Sequence, residues 1–478
     1  MKRGVRVCMF VWNYFTNDAR VTREAKSLVN AGNDVYVLAV YNEKDPALSR
    51  KEIKDGINII RLSRYGFIYQ FNKWLEKILN KKIEIKRLEI KRIKIPKKYF
   101  LLAAVIHLFL SIYYIFMFVH NSFRFLYRPI RRFVVRPLIR FTRTLIRLPG
   151  RWITKLTKGR DRLFIAFIIM TCKFTAQGLA IKADIYHSHD LNTLLAGYIC
   201  SRIKRARLIY DSHEIATDRA GLKAKPFWEL LERMLIKKAD VVIFTTYTRA
   251  KFSADKYHIG LPSVISNYAD IPPAIKQIDL KKLLDIAPDC KIALYQGGIQ
   301  LGRGLEQLIE SVEFLREDTI VVLMGDGLLR PLLQNMVQSR GFQDRVKFTG
   351  RVPLNELLGY TAGADVGLQI LQNMCFNHYS TDSNKLFEYF AVGVPVVASD
   401  FPEIAKVVKE FDAGVLIDPH KPENIAKGIN YILENESRRA EMAKNAKRAS
   451  LKYNWANEER RFFSIYEALT NNKKCSNK

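Results

Sequence analysis

The chain has 478 residues, of which 48% are hydrophobic, and a formal net charge of +31 at pH 7. This length allows two or three domains with cores of their own, and the hydrophobic content excludes a largely disordered chain. The charge is concentrated in residues 77–162, where 23 Lys and Arg stand against three acidic residues and supply +20 of the +31. A surface that binds nucleic acid along the whole molecule is therefore not indicated.

Six cysteines are scattered along the chain, with no CxxC pair and no histidines at metal-binding spacing. This pattern is typical of a reduced cytosolic protein and predicts neither a disulfide framework nor a zinc site. The N-terminus reads Met-Lys-Arg-Gly-Val-Arg-Val and has no long apolar run. It predicts a first β-strand and no secretory signal.

Outside residues 65–180, short apolar runs alternate with helical periods, which is typical of a parallel α/β sheet. In the first half the predicted strands are 5–11, 34–40, 57–62, 184–188, 206–210 and 240–245. The predicted helices there are 18–31, 190–203, 226–238 and 247–256. A Lys-rich passage with prolines at about 267–288 predicts a linker.

The alternation then starts again. The predicted strands of the second half are 291–296, 319–324, 345–349, 364–369, 394–398 and 414–417. The predicted helices are 304–315, 328–340, 384–392, 421–434, 437–449 and 454–469. Two doubly wound halves would enclose a ligand cleft at the carboxyl ends of their strands. We therefore expect a first domain at 1–270, a second at 271–455, and a final helix and tail at 456–478.

An insert at about 65–180 interrupts the first domain. It contains a charge-free run at 101–119, which as a helix would be about 28 Å long. Basic residues then recur every three or four positions among apolar ones, as in segments that lie on anionic lipid. Since both ends of the insert must return to one sheet, a single membrane crossing is excluded. We expect residues 99–162 to contact an anionic membrane surface; a purely structural insert or nucleic-acid binding are the alternatives.

Residues 384–400 predict a short helix that is followed by a glycine and a strand. Lys385 and Glu388 are three positions apart on this helix and share a face. Such a unit can hold a ribose diol with one carboxylate and a diphosphate with backbone N–H groups at the helix start. An ordinary αβ unit of a parallel sheet is the alternative.

Two glycine-rich turns follow predicted strands of the second half. The first, Gln296-Gly-Gly-Ile-Gln-Leu-Gly-Arg303-Gly304, lets the backbone approach a ligand, and Arg303 can contact phosphate oxygens with its guanidinium. It matches neither a dinucleotide-binding fingerprint nor an ATP-binding P-loop. The second, Gly325-Asp326-Gly327, is either part of the same site or only a tight turn.

Histidines and acids stand at the ends of two successive strands of the first half. The sequences are Ile185-Tyr-His-Ser-His189-Asp190 and Tyr210-Asp-Ser-His213-Glu214. A lone histidine is more often structural, but the repetition indicates a functional edge. In the loop after the first strand, Asp18 is placed to cap the next helix and Arg20 to face an anionic acceptor.

Together these residues resemble the nucleotide-sugar half of retaining GT-B glycosyltransferases, the large family-four group also called glycosyl transferases group 1. The resemblance covers the chain except the insert. It implies two Rossmann-like doubly wound domains that face a cleft. It also implies transfer of a sugar from a nucleotide-diphosphate donor with retained configuration, and it implies no metal ion or other cofactor.

The resemblance implies roles for individual residues. Arg303 and Gly304 would bind the donor diphosphate, Glu388 the ribose, and His189 would face the donor sugar. The catalytic candidates are His189, Arg303 and Asp382. The donor-binding candidates are Gly297, Gly298, Gly304, Asp326, Gly327, Arg351, Val352, Ser380, Asn384, Lys385, Leu386 and Glu388. The acceptor-side candidates are Asp18, Arg20, Asp190, His213 and Glu214.

Two positions depart from the family pattern. Ser380 stands where the Glu-x7-Glu motif has its first glutamate, and Gly298 stands where the glycine-rich loop has its first arginine. Asp382 or the backbone of 381–384 would then take over the sugar contact. Arg303 alone would neutralise the diphosphate.

The resulting expectation is a retaining hexosyltransferase of polysaccharide biosynthesis that uses a lipid-linked or other glycan acceptor. It would be cytoplasmic, peripheral or monotopic on the inner face of the plasma membrane, with no nucleic-acid partner. The alternatives are a nucleotide-sugar 2-epimerase of the same fold and a non-catalytic, membrane-docked subunit that binds a sugar nucleotide.

Overall fold

The computed structural model describes residues 4–16, 18–45, 47–63, 160–218, 225–272 and 274–471. The apolar run at 101–119 and nearly all of the basic stretch at 99–162 lie outside these residues. The membrane-contacting insert therefore stays a prediction. Within the described ranges, no helix is both long and apolar enough to cross a bilayer.

The first domain is built on an eight-stranded sheet of order β3-β4-β2-β1-β5-β6-β7-β8, in which only β3 is antiparallel to its neighbour. The strands are β1 (Arg6–Phe10), β2 (Asp34–Tyr41), β3 (Lys51–Lys54), β4 (Ile57–Ser63), β5 (Ile185–His189), β6 (Arg207–Ser212), β7 (Val241–Phe244) and β8 (Ser263–Val264). β1 lies near the centre, between β2 and β5, because its run Val-Cys-Met-Phe is buried on both faces, as helix-covered parallel strands require.

Helices cover both faces of this sheet. They are α1 (Ala19–Asn30), α2 (Arg160–Ile181), α3 (Leu191–Lys204), α4 (Lys225–Leu235) and α5 (Tyr247–Tyr257). α1 buries Val21, Ala25 and Leu28, which are three or four positions apart and so share one face. Asp18 caps this helix and accepts a hydrogen bond from the Val21 N–H at 3.1 Å, so its predicted capping position is where the structure places it.

The second domain has a six-stranded parallel sheet of order β11-β10-β9-β12-β13-β14. Its strands are β9 (Lys291–Gln296), β10 (Thr319–Met324), β11 (Val346–Gly350), β12 (Val366–Gln369), β13 (Val396–Ser399) and β14 (Gly414–Ile417). Its helices are α6 (Leu280–Leu283), α7 (Leu305–Ser311), α8 (Arg330–Ser339), α9 (Leu357–Thr361), α10 (Phe376–Tyr379), α11 (Asn384–Ala391), α12 (Pro402–Phe411), α13 (Pro422–Leu433) and α14 (Glu436–Lys452). The predicted pair of doubly wound α/β domains is thus confirmed.

The last helix, α15 (Trp455–Asn471), packs on the first domain although it follows the second in sequence. The indole Nε1 of Trp455 donates to Ser27 Oγ at 3.0 Å, and Phe462 and Tyr466 enter the apolar cluster that contains β1. This helix ties the two ends of the chain together at the first domain.

The structure differs from the sequence expectations inside the predicted insert. Helix α2 was not predicted, yet Met170 and Phe174 on it are fully buried and pack with Phe10 of β1. The helix is apolar around much of its circumference, so it shows little amphipathic period. The segment from about residue 167 onwards belongs to the core of the first domain and not to an insert that ends near 180. Helices α6, α9, α10 and α12 and the short strands β3 and β8 were also not predicted.

Candidate functional site

A cleft of about 650 Å³ lies at the carboxyl ends of the strands, and residues of both domains line it. The first domain contributes Tyr14, Asp18, Arg20, His213, Glu214 and Arg249. The second contributes Arg303, His378, Thr381, Asp382, Ser383 and Asn384. The predicted acceptor-side and donor-side residues therefore meet, in part, in one cavity.

The glycine turns of the second domain join the ends of three strands. The Gly297 N–H donates to Met324 O and the Gly325 N–H donates to Gly350 O, both at 2.9 Å. Gly325 has a φ of +144°, and a Cβ there would lie 1.9 Å from Gly297 O. Only glycine fits at that point. The turns at the ends of β9 and β10 approach each other closely and form a surface, here called the floor. The side chains described next lie beside it.

Two cationic side chains converge beside this floor. The Nζ of Lys385 lies 3.9 Å from the centre of the Tyr295 ring and against Gly297, where an added Cβ would be 3.4 Å from it. Arg303 lines the cleft. Among the described residues, neither cation has a hydrogen-bonded or ion-paired anionic partner. Burial and then Arg303 hold the pKa of the Lys385 ammonium well below its usual range.

Lys385 changes one expectation from the sequence. Gly298 does lack the arginine of the family pattern, but Arg303 is not the sole positive charge at the floor. Lys385 is 9% exposed and reaches the same region from the first turn of α11. Helix α11 also buries Leu386 completely in the core of the second domain, so that side chain faces away from the cleft.

Glu388 lies one turn further along α11. Its Oε2 accepts a hydrogen bond from Gln296 Nε2 at 2.6 Å, and Gln296 Oε1 in turn accepts from Thr361 Oγ1 at 2.8 Å. Burial raises the pKa of Glu388, and the Gln296 bond opposes this. The carboxylate is therefore held in one orientation by a neighbour that the sequence analysis did not single out.

The remaining donor-side candidates lie at the second glycine turn. Asp326 is half-exposed, with Arg330 at 3.8 Å and Arg351 at 3.7 Å. A Cβ on Gly327 would lie 2.1 Å from Ile299 O, so this turn also packs tightly. Val352 packs on the edge of the core. The candidates Asp326, Gly327, Arg351 and Val352 are not among the residues that line the cleft.

Ser380 is turned away from the cleft. Its hydroxyl donates to Phe376 O at 2.6 Å and accepts from Arg249 Nε at 3.2 Å, and the residue is fully buried. Arg249 also donates to Asn377 O and to His213 O, so it bridges the two domains. Ser380 thus takes part in an interdomain contact at a position predicted for donor binding. Its partner stands 131 residues earlier in the chain.

Asp382 is the buried carboxylate that does line the cleft. Burial raises its pKa to about 6, and the charges of Arg249 and Arg20 oppose this only in part. No other side chain among the described residues donates a hydrogen bond to it. Asp382 and the segment 381–384, the two alternatives for the sugar contact, both line the cavity, and Ser380 does not.

The two predicted histidines lie at different depths, His213 at the surface of the cleft and His189 behind it. His213 lines it, whereas His189 is 2% exposed and lies beneath, with its Nδ1 hydrogen bonded to His213 Nε2 at 3.1 Å. Burial disfavours the charge on His213, but Asp190 and Asp211 outweigh it and raise its pKa to about 9. The backbone N–H of His213 also donates to Asp190 Oδ1 at 3.1 Å.

Arg20 is held by the first domain itself. Its guanidinium donates twice to Asp211, with both distances 3.0 Å, and once to Ile265 O at 2.7 Å. It lies 3.1 Å from Glu24 and is only 4% exposed. The predicted acceptor-facing arginine reaches the cleft with little of its surface, and most of its hydrogen-bonding capacity is already used.

Asp211, Glu24 and His187 complete a buried cluster that the sequence analysis did not identify. Potential metal ligand atoms of Glu24, His187, His189 and Asp211 all lie within 4.8 Å of one another. These side chains come from α1, β5 and β6, and no local spacing connects them. In the described part of the chain, this is the group with the composition of a cation site.

Comparison with known proteins finds similarity to glycosyltransferases. The family model for glycosyl transferases group 1 matches residues 277–449. The D-inositol 3-phosphate glycosyltransferase of Xylanimonas cellulosilytica is 24% identical over 326 residues, which are 63% of this chain and 77% of the relative. The alpha-D-kanosaminyltransferase of Streptomyces kanamyceticus is 24% identical over 52% of this chain and 67% of its own length.

Solved structures show the same architecture. Sucrose-phosphate synthase from Thermosynechococcus elongatus superposes with a TM-score of 0.65 at 16% identity, covering 98% of this chain and 99% of that one. Anabaena HepE, solved in complex with UDP, has a TM-score of 0.61 at 15% identity and is covered completely, with 97% of this chain. At these identities the likeness establishes the fold, which is the predicted GT-B arrangement.

Proposed function

We propose that this chain, in which residues 277–449 match the family model for glycosyl transferases group 1, transfers a sugar from a nucleoside-diphosphate donor, with retained configuration, to a glycan or lipid-linked acceptor. The observation that carries this proposal is a pair of cationic side chains at the glycine turns of the second domain. Among the described residues, Arg303, which lines the cleft, and Lys385, which lies against Gly297 and is not one of the lining residues, have no hydrogen-bonded or ion-paired anionic partner. A buried cation is costly unless an anion joins it. A diphosphate has the charge and size for this position.

The same two cations serve the chemistry. When the glycosidic bond of the donor breaks, negative charge grows on the leaving diphosphate, and fixed cations in a partly dehydrated site stabilise that charge. Burial lowers the pKa of Lys385 in the free protein, and a bound anion would oppose this by stabilising the ammonium form. The proposal assigns no metal ion to the diphosphate position.

Glu388 and Asp382 would hold the sugars of the donor. Glu388 presents a carboxylate fixed by Gln296, which suits it to accept hydrogen bonds from a ribose diol. Asp382 takes the donor-sugar contact, since it faces the cleft and Ser380 does not. His213 lies on the opposite wall, and His189 acts through it as a positioning residue.

The acceptor and the location are further parts of the proposal. The acceptor would approach from the first domain, where Tyr14 and Glu214 line the cleft. A lipid-linked acceptor fits the basic and apolar composition of residues 99–162, and the protein would then lie on the cytoplasmic face of the plasma membrane. Flotation of the full-length chain with phosphatidylglycerol vesicles at low salt tests this. A chain that stays at the bottom of the gradient, as it should with phosphatidylcholine vesicles, would contradict it.

The donor site is tested first with nucleotides. UDP, GDP, ADP, CDP and dTDP are screened by thermal shift, beginning with UDP because the HepE structure holds it. We expect one of them to raise Tm. Its nucleotide sugars are then assayed for release of the nucleoside diphosphate, with and without acceptor glycans.

Variants make the assay specific. Glu388→Ala and Arg303→Gln should each lower kcat/KM for donor breakdown by about 10- to 100-fold, as expected for the loss of a charged contact of about 1.5–3 kcal/mol. Arg340→Gln, directly after the last residue of α8 and not among the residues that line the cleft, is the matched control. An active wild type whose rate is the same in both donor-site variants would refute the assignment.

The product separates the rival functions. A 2-epimerase would interconvert two nucleotide sugars and leave the total of nucleotide sugar constant. A non-catalytic subunit would bind the nucleotide but release no diphosphate at any acceptor concentration. Transfer predicts one diphosphate released for each glycosylated product.

A further inference from the structure

We propose that Glu24, His187, His189 and Asp211 form a buried site for one divalent transition-metal ion. None of the four side chains lines the cleft, and His189 is the member that contacts a lining residue, His213. The test of this site does not depend on finding the donor.

The fold brings these side chains together from three elements. His187 and His189 are two positions apart on β5 and so project to the same face of the sheet. Asp211 lies directly opposite His189 on the neighbouring strand β6, and Glu24 comes from the buried face of α1. The His189 Nε2 is 4.0 Å from Glu24 Oε2, and the His187 Nε2 is 3.8 Å from Asp211 Oδ2. The potential ligand atoms of the four side chains all lie within 4.8 Å of one another.

The two imidazoles are arranged as metal-ligating histidines are. In each ring one nitrogen is held by a partner: His187 Nδ1 is hydrogen bonded to Tyr466 OH at 2.7 Å, and His189 Nδ1 is hydrogen bonded to His213 Nε2 at 3.1 Å. In each ring the other nitrogen, Nε2, is buried and has no hydrogen-bond partner. A ligating histidine typically donates its second N–H to such an outer partner, which fixes its tautomer and aims the free nitrogen at the ion.

Glu24 repeats this pattern with oxygen. Its Oε1 lies 3.1 Å from Arg20 Nε, whereas its Oε2 is buried and has no hydrogen-bond partner. Buried polar atoms are nearly always satisfied, so three unsatisfied lone-pair atoms this close together indicate a missing binding partner. An ion that takes both nitrogens and a Glu24 oxygen would satisfy them together.

Two imidazole nitrogens with carboxylate oxygens are the donors that zinc, manganese, iron and related ions prefer, and calcium and magnesium prefer oxygen alone. Four protein ligands in a closed cavity are typical of a structural site. Because Tyr466 belongs to α15, the ion would also strengthen the attachment of the C-terminal helix to the first domain. Since the site is closed, the ion would enter as this domain folds.

The experiment uses full-length, tag-free protein purified without metal-chelate columns. Elemental analysis for manganese, iron, cobalt, nickel, copper and zinc should find about one metal ion per chain. His187→Gln and Glu24→Gln should each reduce that content at least about fivefold, since outer and inner ligands both control affinity. His420→Gln, an exposed histidine on the second domain, is the matched control and should retain the ion.

A second measurement covers variants that fail to fold. Wild-type protein is unfolded in denaturant with a chelator and then refolded with Zn²⁺, with Mn²⁺, with Ca²⁺ or with chelator alone. Zn²⁺ or Mn²⁺ should raise Tm over the chelator sample by at least about 3 °C, and Ca²⁺ should not. Wild-type protein with less than about 0.1 ion per chain, together with equal Tm values after all four refoldings, would overturn the proposal.

Discussion

Replacing Lys385 with methionine should stabilise the free protein and weaken its binding of nucleoside diphosphates. These opposite signs follow from one observation, that the Lys385 ammonium is buried against the Tyr295 ring without an anionic partner among the described residues. In a side chain with a structural role, both quantities would fall together. The variant therefore distinguishes a binding group from a packing group.

The size of both effects can be worked from the contacts. A desolvated cation over an aromatic ring regains up to about 2 kcal/mol, which is less than the cost of burying the charge. Methionine fills a similar volume without that cost, so we expect a gain of about 1 kcal/mol in the free energy of unfolding, or about 2–4 °C in Tm. With a diphosphate bound, losing a charged contact of about 1.5–3 kcal/mol raises Kd by about 10- to 150-fold.

The assay compares urea unfolding without nucleotide and calorimetric titration with the nucleotide that the thermal-shift screen selects. Lys444→Met, an exposed lysine on α14, is the matched control and should change the unfolding free energy by less than about 0.5 kcal/mol and leave Kd unchanged. A Lys385→Met protein that is less stable than wild type and binds the nucleotide equally well would refute the reasoning.

Three further outcomes test other parts of the site. Burial raises the pKa of Asp382 to about 6, so its carboxylate is charged above that pH and protonated below it. We therefore expect kcat/KM to fall about tenfold for each pH unit below 6. The variant Asp382→Asn should be slow at pH 8 and should not show this fall at low pH. A wild-type profile that is flat from pH 5 to 8 would remove Asp382 from the mechanism. Ser380→Ala should lower the free energy of unfolding by about 1–2 kcal/mol, since Arg249 loses one of its acceptors. It should leave the Kd for the nucleotide within about twofold of the wild-type value. A tenfold change in Kd would return Ser380 to the donor site. Gly325→Ala should lower the free energy of unfolding by more than about 3 kcal/mol, because its Cβ would lie 1.9 Å from a carbonyl oxygen. Gly260→Ala, in open space, is the control and should be nearly neutral. Equal Tm values for the two variants would contradict the close approach at Gly325.

Much of the fold was predictable because it depends on local pattern. The strands 291–296, 319–324 and 414–417 were predicted with the bounds that the structure shows, since each is an apolar run between turn residues. Helix α11 was predicted to within one residue, and with it the shared face of Lys385 and Glu388. Helix α2 was missed because apolar residues around its circumference hide its period.

The site was predictable only in part, because it depends on partners far apart in sequence. The positions of Arg303, Glu388 and His213 could be anticipated from glycine turns and strand ends. The direction in which Ser380 points could not, since Arg249 holds it across the domain boundary. Likewise the order in depth of His189 and His213 follows from side-chain packing and not from spacing.

The sequence by itself determined the two doubly wound domains, the concentration of charge in one segment, and the residue types at the strand ends. These features repeat every few residues, and so they are written in local periodicity. Only the tertiary structure decided which of those residues meet. It placed Lys385 near Arg303 as a second cation without an ion-paired partner among the described residues, turned Ser380 out of the cleft, and brought potential ligand atoms of Glu24, His187, His189 and Asp211 within 4.8 Å of one another. The physical reason is that a side chain's partner depends on how the sheets and helices close over long loops, which no spacing along the chain records.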